Sequence, residues 1–538
     1  MACSAAVTQN PRSAGRSTPT MRVVLNSRCS WFPPNAKTNE WTQPPLLFDV
    51  AAVLSPSGTL GGVAEAFGVH ETSHQISAIV EAVDPTTQYQ SVFSQQSSEQ
   101  FSGRFSGLFS PVGAGAGILS NGSPQPSDIG TAPLSSSARL DPSLIPRLSG
   151  SETLDRLTVL SGSEMAAFVA GNRASIHRLL LSPPRAGSIA TWWGSLPHSG
   201  QQTLASTASE VVGNLDGVPF AIRDRANRLT LSRSVSQLTT SIESGVGRAK
   251  LVEKRHHLDI LNQVTKTLER ESGTAQRQLI TLDPSGEVRA AVVVGNLATA
   301  DYVSYLVPGM FFTVQGQMYD WTVIAQDLQT EQARWLKTLS SADSRLSGKT
   351  AATVAWIGYQ TPGVLDIASL DRAKTGANFL GHAIQGIRAA RVGAQPFVSL
   401  VTHSYGSTAA MMELARGGMT VDALAIIGSP GSAAQSVSAL GMRNGNVFVG
   451  EAAWDPIVNT AFYGSDPGST TFGAHRMDVA ATTDPITNKP LAAAVGHLGY
   501  FDAGTTAMRN LALIGLDQGA LVSTGSSADA SLTLADAR

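Results

Sequence analysis

The chain has 538 residues, only 14% of them charged, and a formal net charge of −2. No basic run or stripe points to a nucleic-acid partner, and no run approaches the roughly 18 apolar residues of a membrane helix. Cys3 and Cys29 are the only cysteines, which excludes a disulfide framework or a cysteine-ligated zinc site from the body of the chain.

At the start, Arg12, Arg16 and Arg22 precede only the short apolar run Val23–Leu25. A secretory signal needs about 7–15 apolar residues, so a cytoplasmic location is expected. Residues 1–150 are rich in Ser, Gly, Pro and Gln, as in Ser91–Gln100 and Pro111–Gly117. Such sequence buries too little apolar surface to offset chain entropy, and most of it is expected to be disordered. Within it, spaced apolar residues allow a helix around Gly61–Ala82. Phe101, Phe105 and Phe109 recur at every fourth position, but Ser and Gly fill the gaps, so they read as sticky low-complexity sequence rather than a docking stripe. Gly113–Gly117 lacks the flanking strand and helix of a phosphate loop.

From Ser151 the pattern becomes globular. Ser151–Asp155 opens a capped helical run, and further helical stretches cover Gln201–Val212 and Val252–Leu268, with the turn-rich Gly213–Asn227 between them. Residues 151–275 therefore read as a helical segment that packs on the domain C-terminal to it. Arg277–Leu282, the turn Asp283–Gly286 and Arg289–Val294 then form a β-hairpin. Strands come next at Tyr302–Val307, Ala352–Ile357, Phe397–Val401, Ala423–Ile427 and Val447–Val449. Helices are expected near Gln317–Thr338, Ala377–Arg391, Thr408–Ala415 and Ala433–Leu440. This alternation implies an α/β fold, a mostly parallel sheet with helices on both faces. An antiparallel hairpin ahead of parallel strands is the order of an α/β-hydrolase sheet, here over 276–520, with a flexible tail at 521–538.

In such a sheet the chemistry sits at the carboxyl ends of the strands. Phe397–Val401 breaks at Thr402-His403-Ser404-Tyr405-Gly406 into a helix-forming run, which is the strand, turn and helix setting of a nucleophile elbow. The first position of the usual G-x-S-x-G is Thr402, so the surroundings must decide. A serine hydroxyl is a poor nucleophile without a base and an orienting acid. Asp455 lies just beyond Val447–Val449; Glu451 competes from closer to the strand, but the longer loop lets Asp455 reach over the sheet edge. Two histidines come after Ser404. His475 sits in a strand-like run, whereas His497 sits in a glycine-flanked loop suited to dropping its ring between acid and nucleophile. The order Ser404, Asp455, His497 is that of α/β-hydrolases. The Pro308-Gly309 loop after an early strand either ends that strand or supplies an oxyanion donor, the Met310 amide, beside the Tyr405 amide.

Tyr305–Gly309, Val354–Tyr359, Thr402–Gly406, Trp454–Pro456 and His497–Phe501 together resemble an actinobacterial α/β-hydrolase family, the DUF1023 family. Upstream, Trp192-Trp193, Gly213–Pro219, Arg223-Asp224 and Asn227-Arg228 are similar to the segment preceding that domain, so the resemblance covers residues 185–515. It implies the fold and a serine-hydrolase triad of Ser404, Asp455 and His497, and supplies no substrate. Thr402 stands where that family has glycine, and Phe311 and Phe312 stand where it has small residues; the two phenylalanines are expected either to narrow the acyl site or to alter the oxyanion geometry.

The reading is a serine hydrolase acting on a small-molecule ester or related acyl bond, with no cofactor or metal. The alternative is a non-catalytic binding protein that uses the same pocket; acyl transfer to an alcohol would use the same residues as hydrolysis. The scarcity of long apolar runs argues against a lipid-interface lipase. Ile457–Val495, rich in Gly, Pro, Ser and Thr, is either a cap over the pocket or a surface excursion. Trp356 and Tyr359, at the end of a central strand, either line the acyl site or, as is expected of Trp356, sit in the core.

Overall fold

The computed structural model describes residues 148–524 apart from 271, 364–365, 392 and 443–444. The low-complexity region, the Gly61–Ala82 helix and the Phe101–Phe109 stripe lie outside the described residues. So does the tail after Thr524, although the packed chain runs past the expected boundary at 521, because Leu521 and Val522 are buried.

Six helices come first: α1 (Gly150–Val159), α2 (Gly162–Gly171), α3 (Arg173–Leu181), α4 (Ala186–Ser195), α5 (His198–Thr207) and α6 (Ser209–Val212). Two Ser-x-x-Glu sequences set the first starts. Ser149 with Glu152, and Ser161 with Glu164, form reciprocal capping boxes that satisfy otherwise orphaned amides. The cap of α1 is therefore Ser149, two residues before the expected start. The single helix expected over Gln201–Val212 breaks at Ala208 into α5 and α6. Leu204 and the pair Val211 and Val212 still reach one core, with Leu157, Phe168 and Trp193.

Two longer helices, α7 (Phe220–Glu243) and α8 (Arg248–Leu268), lead into an eight-stranded sheet of order β1-β2-β4-β3-β5-β6-β7-β8. Its strands are β1 (Arg277–Asp283), β2 (Arg289–Val294), β3 (Tyr302–Val307), β4 (Ala351–Ile357), β5 (Phe397–His403), β6 (Ala423–Ile427), β7 (Val447–Gly450) and β8 (His475–Arg476). β1 and β2 pair antiparallel, as do β2 and β4; from β4 through β3 to β8 the pairing is parallel. The strands are near-continuous apolar runs because both faces are covered. Along β2, Val292 and Val294 join one core while Ala291 and Val293 join the other. The first core holds α9 (Val314–Leu339) and α12 (Thr506–Ile514); the second holds α10 (Asp371–Ala390) and α11 (Tyr405–Ala415).

The helix expected over Ala433–Leu440 is absent; only a 3-10 turn, Val437–Leu440, forms there. Tertiary pairing holds the segment extended instead, through Ser465 N–H to the Ser432 carbonyl at 2.7 Å and Val437 N–H to the Phe472 carbonyl at 2.8 Å. The Ile457–Val495 excursion is woven into the fold: it supplies β8 and a two-stranded pair, β9 (Thr482–Thr483) with β10 (Pro490–Leu491). It also buries Tyr463, Phe472 and Met477 in the cores. Trp356 and Tyr359 stack at 5.6 Å within the second core.

Candidate active site

β5 runs two residues further than Val401, through Thr402 and His403. The chain then turns at Ser404, whose φ of 54° and ψ of −132° lie where non-glycine residues are strained, and α11 starts at Tyr405. Thr402 stays in the strand, opposite Val307 and Ile426, with its hydroxyl donating to the Ala425 carbonyl at 3.0 Å. Its side chain is thus accommodated against the neighbouring strand, and the turn begins beyond it. Glycine is required at 406 instead, because a Cβ there would stand 2.4 Å from the Pro308 carbonyl oxygen. The Tyr359 hydroxyl donates to that same carbonyl at 3.0 Å.

This contact presses the loop after β3 onto the turn. A Cβ on Gly309 would lie 2.4 Å from the Ser404 Cβ and 2.9 Å from its Oγ. Met310 is half-buried next to it. Tyr405, as the first residue of a helix, has an amide without an intrahelical acceptor. Phe311 adopts a left-handed φ of 64°, and its amide donates to the Pro362 carbonyl at 3.2 Å. Phe312 turns onto Trp321, ring to ring at 4.9 Å, and packs against the first core. Its ring also lies 6.4 Å from that of His403, so it stays beside the Ser404 turn.

Asp455 lies just after β7 and is buried. Its Oδ1 accepts from His497 Nδ1 at 2.9 Å and its Oδ2 accepts from the Tyr500 hydroxyl at 2.7 Å. A carboxylate only accepts, so His497 carries its proton on Nδ1 and presents a bare Nε2. That Nε2 is buried and has no hydrogen-bond partner among the described residues. Burial pushes the Asp455 carboxyl up, but the hydrogen bond and charge of His497, with Tyr500 and the Ile457 amide, outweigh it and hold the group below its usual value. Burial and the Asp455 charge push the Tyr500 hydroxyl well up, which keeps it a donor. The competing acid Glu451 pairs with Arg476 at 2.5 Å. The competing base His475 lies exposed on β8, its ring 5.4 Å from Phe448.

Ser404 and the Asp455–His497 pair converge on the end of β6. The Ser404 amide donates to the Ile427 carbonyl at 3.0 Å. At the next residue, Gly428, a Cβ would lie 2.9 Å from Asp455 Oδ2 and 3.1 Å from His497 Nδ1. Three supporting residues were not marked out by the sequence. Ser407 donates to the Ser404 carbonyl at 2.6 Å and its hydroxyl lies 2.7 Å from that of Ser429, tying the turn to the loop after β6. His403 Nε2 donates to the His497 carbonyl at 2.6 Å, and the two rings lie 4.4 Å apart. Burial, with His497 adding to it, pushes the His403 imidazole down to about 3, so the ring is neutral. Tyr500, besides holding Asp455, accepts from the Ala452 amide at 2.8 Å. His403 and Tyr500 stand inside the family-like motifs Thr402–Gly406 and His497–Phe501, the one sequence signal that could have found them.

Residues 283–465 match the family model Abhydrolase_8, described as alpha/beta hydrolase. The domain that carries Ser404 has the α/β-hydrolase fold, and this match lies within it. Uncharacterized protein Rv2079 of Mycobacterium tuberculosis is 27% identical over 397 residues, covering 64% of this chain and 58% of that protein. The chain thus spans less than two thirds of that relative's length. Uncharacterized protein Rv0963c of the same species is 28% identical over 233 residues, covering 43% of this chain and 84% of its own. Among solved structures, a hyperthermophilic esterase from Pyrobaculum calidifontis is similar at 13% identity and a TM-score of 0.27, covering 53% of this chain and 97% of that one. An arylesterase is similar at 11% identity and a TM-score of 0.28, covering 54% and 98%. Among the described residues, no group of three or more His, Cys, Asp or Glu side chains is placed to hold a metal ion. No described helix is long and apolar enough to cross a membrane.

Proposed function

We propose that this α/β-hydrolase is a serine hydrolase that cleaves a carboxylic ester or related acyl bond through Ser404, His497 and Asp455. The observation that carries the reading is the strained Ser404 turn at the end of β5, beside an Asp455–His497 pair hydrogen-bonded at 2.9 Å. The tautomer supports it, because a ring protonated on Nδ1 offers Nε2 as the base. In this mechanism His497 takes the Ser404 proton as Oγ adds to the substrate carbonyl. The Met310 and Tyr405 amides hold the resulting oxyanion, where one such donor typically contributes about 3 kcal/mol. Collapse expels the alcohol, which takes its proton from His497 and leaves an acyl-enzyme. Water, deprotonated by His497, then adds to that ester, and Ser404 leaves with the proton as the acid is released. Asp455 orients His497 and stabilises its imidazolium throughout.

A fluorophosphonate probe tests this on the full chain. Wild type is expected to label, and Ser404→Ala and His497→Ala are expected to lose labelling. Labelling that survives Ser404→Ala would overturn the nucleophile; a folded wild type that does not label would favour a binding protein.

A further inference from the structure

Of the six large hydrophobic side chains left exposed among the described residues, three flank the candidate acid and base: Trp454 at 80%, Val495 at 56% and Leu498 at 52%. Trp454 directly precedes Asp455, and Val495 and Leu498 bracket His497. The two loops run side by side, since Ala453 bridges to Val495 and the Gly496 amide donates to the Ala453 carbonyl at 2.8 Å. The rim is therefore one surface feature built from two distant segments.

Trp454 is the telling member. Its φ of 61° is left-handed, a conformation that glycine or asparagine adopts more cheaply than a bulky aromatic. The turn alone does not call for tryptophan, and strain of this kind gathers at functional sites. The exposure of the site points the same way. Ser404 is 1% exposed and the Asp455 side chain is fully buried, whereas the His497 side chain is 25% exposed. Of these three side chains only that of His497 reaches solvent, its Nε2 staying buried, and the apolar rim residues are its immediate neighbours along the two loops.

We infer that Trp454, Val495 and Leu498 form an apolar acyl-chain subsite, and that the substrate is an ester of a medium-length alkyl acid rather than of acetate. This rests on the serine-hydrolase reading for turnover, but not for binding. Each methylene that leaves water for an apolar surface strengthens binding about fourfold when fully buried, and a rim covers only part of a chain. An octanoyl over acetyl preference of about tenfold or more is therefore expected.

The test uses p-nitrophenyl acetate, butyrate, octanoate and laurate with the full chain. In wild type, kcat/KM is expected to rise from acetate to octanoate. Trp454→Asn, which suits the left-handed turn, and the double variant Val495→Ser/Leu498→Ser are each expected to lower the octanoate-to-acetate ratio about tenfold. Val252→Ser, equally apolar and exposed but on α8, is expected to leave the ratio unchanged. Binding is read separately by calorimetric titration of the same esters into the Ser404→Ala chain. There octanoate is expected to bind at least tenfold more tightly than acetate, and Trp454→Asn is expected to remove the difference. Chain-length-dependent binding without fluorophosphonate labelling would sink the catalytic reading and leave the subsite standing. Labelling with equal binding of all the esters would sink the subsite, as would a dimer that Trp454→Asn dissociates, since the rim would then cover a second copy.

Discussion

His403 shows how a single buried ring serves the candidate site from outside it. A carbonyl only accepts, so the 2.6 Å contact to the His497 carbonyl fixes the proton on Nε2 and pins the backbone that presents the candidate base. Its Nδ1 is buried without a hydrogen-bond partner among the described residues, which keeps the ring neutral, and burial lowers it to about 3. An unfolded imidazole titrates near about 6.5. Between those values the unfolded chain holds a proton that the folded chain refuses. The stability from burying the neutral ring is thus complete above about pH 6.5 and drains as pH falls toward 3, by up to about 1.4 kcal/mol per pH unit. His403→Gln removes the titrating group, so its urea midpoint should fall less steeply between pH 6.5 and 4.5 than that of wild type. His257, also lowered by burial, is present in both chains and cancels. Parallel slopes would mean that His403 is not held neutral. The same residue marks where sequence reading stops. Ser404, Asp455 and His497 come from a turn motif and chain order, both local or ordinal signals. The role of His403 is a contact across 94 positions, and nothing near it in sequence marks its partner.

At the scale of elements, strands were more legible than helices. Tyr302–Val307 and Ala423–Ile427 were readable to the residue, because runs covered on both faces are almost continuously apolar. Helix starts slipped: α9 opens three residues before Gln317, where the Thr313 side chain caps the Gly316 amide. Ala433–Leu440 failed outright, because alanines favour a helix while the pairing of Ser432 with Ser465 forbids one. Loop glycines carry a sharper message than the elements they join. Gly428, at a φ of 57°, leaves room for Asp455 and His497 together, and Gly309 leaves room for the Ser404 side chain. Gly428→Ala forces a methyl to within 2.9 Å of Asp455 Oδ2, and Gly309→Ala forces one to within 2.4 Å of the Ser404 Cβ. An angstrom of misplacement costs about 100-fold in rate, so each variant should lose about that factor in kcat/KM against p-nitrophenyl esters. If Gly428→Ala keeps full activity with its circular dichroism intact, Asp455 and His497 are not working as a positioned pair.

At the scale of the whole molecule, the N-terminal helices close an edge that the sheet leaves open. β1 pairs only with β2 among the named strands, and an unpaired edge invites association with other chains. Side chains supply what a ninth strand would. Asp224 accepts from the Leu279 amide at 2.7 Å, Asn227 donates to the Leu279 carbonyl at 3.0 Å, and Arg228 donates to the Arg277 carbonyl at 2.7 Å. Asn214 serves both groups of Leu282, accepting from its amide at 2.9 Å and donating to its carbonyl at 2.7 Å. This gives the Gly213–Pro219, Arg223-Asp224 and Asn227-Arg228 motifs a structural task far from Ser404, which their composition as turn formers did not disclose. Asn214→Ala strips two partners from the backbone of Leu282, a fully buried residue. Each buried group left unpaired costs about 1–3 kcal/mol, so a loss of about 2–6 kcal/mol is expected in urea unfolding, with rising light scattering as the edge opens. Asn214→Asp keeps the acceptor for the amide and loses the donor, and should fall between the two chains. An Asn214→Ala chain that unfolds with wild type would show that the edge is held by packing of α7 alone.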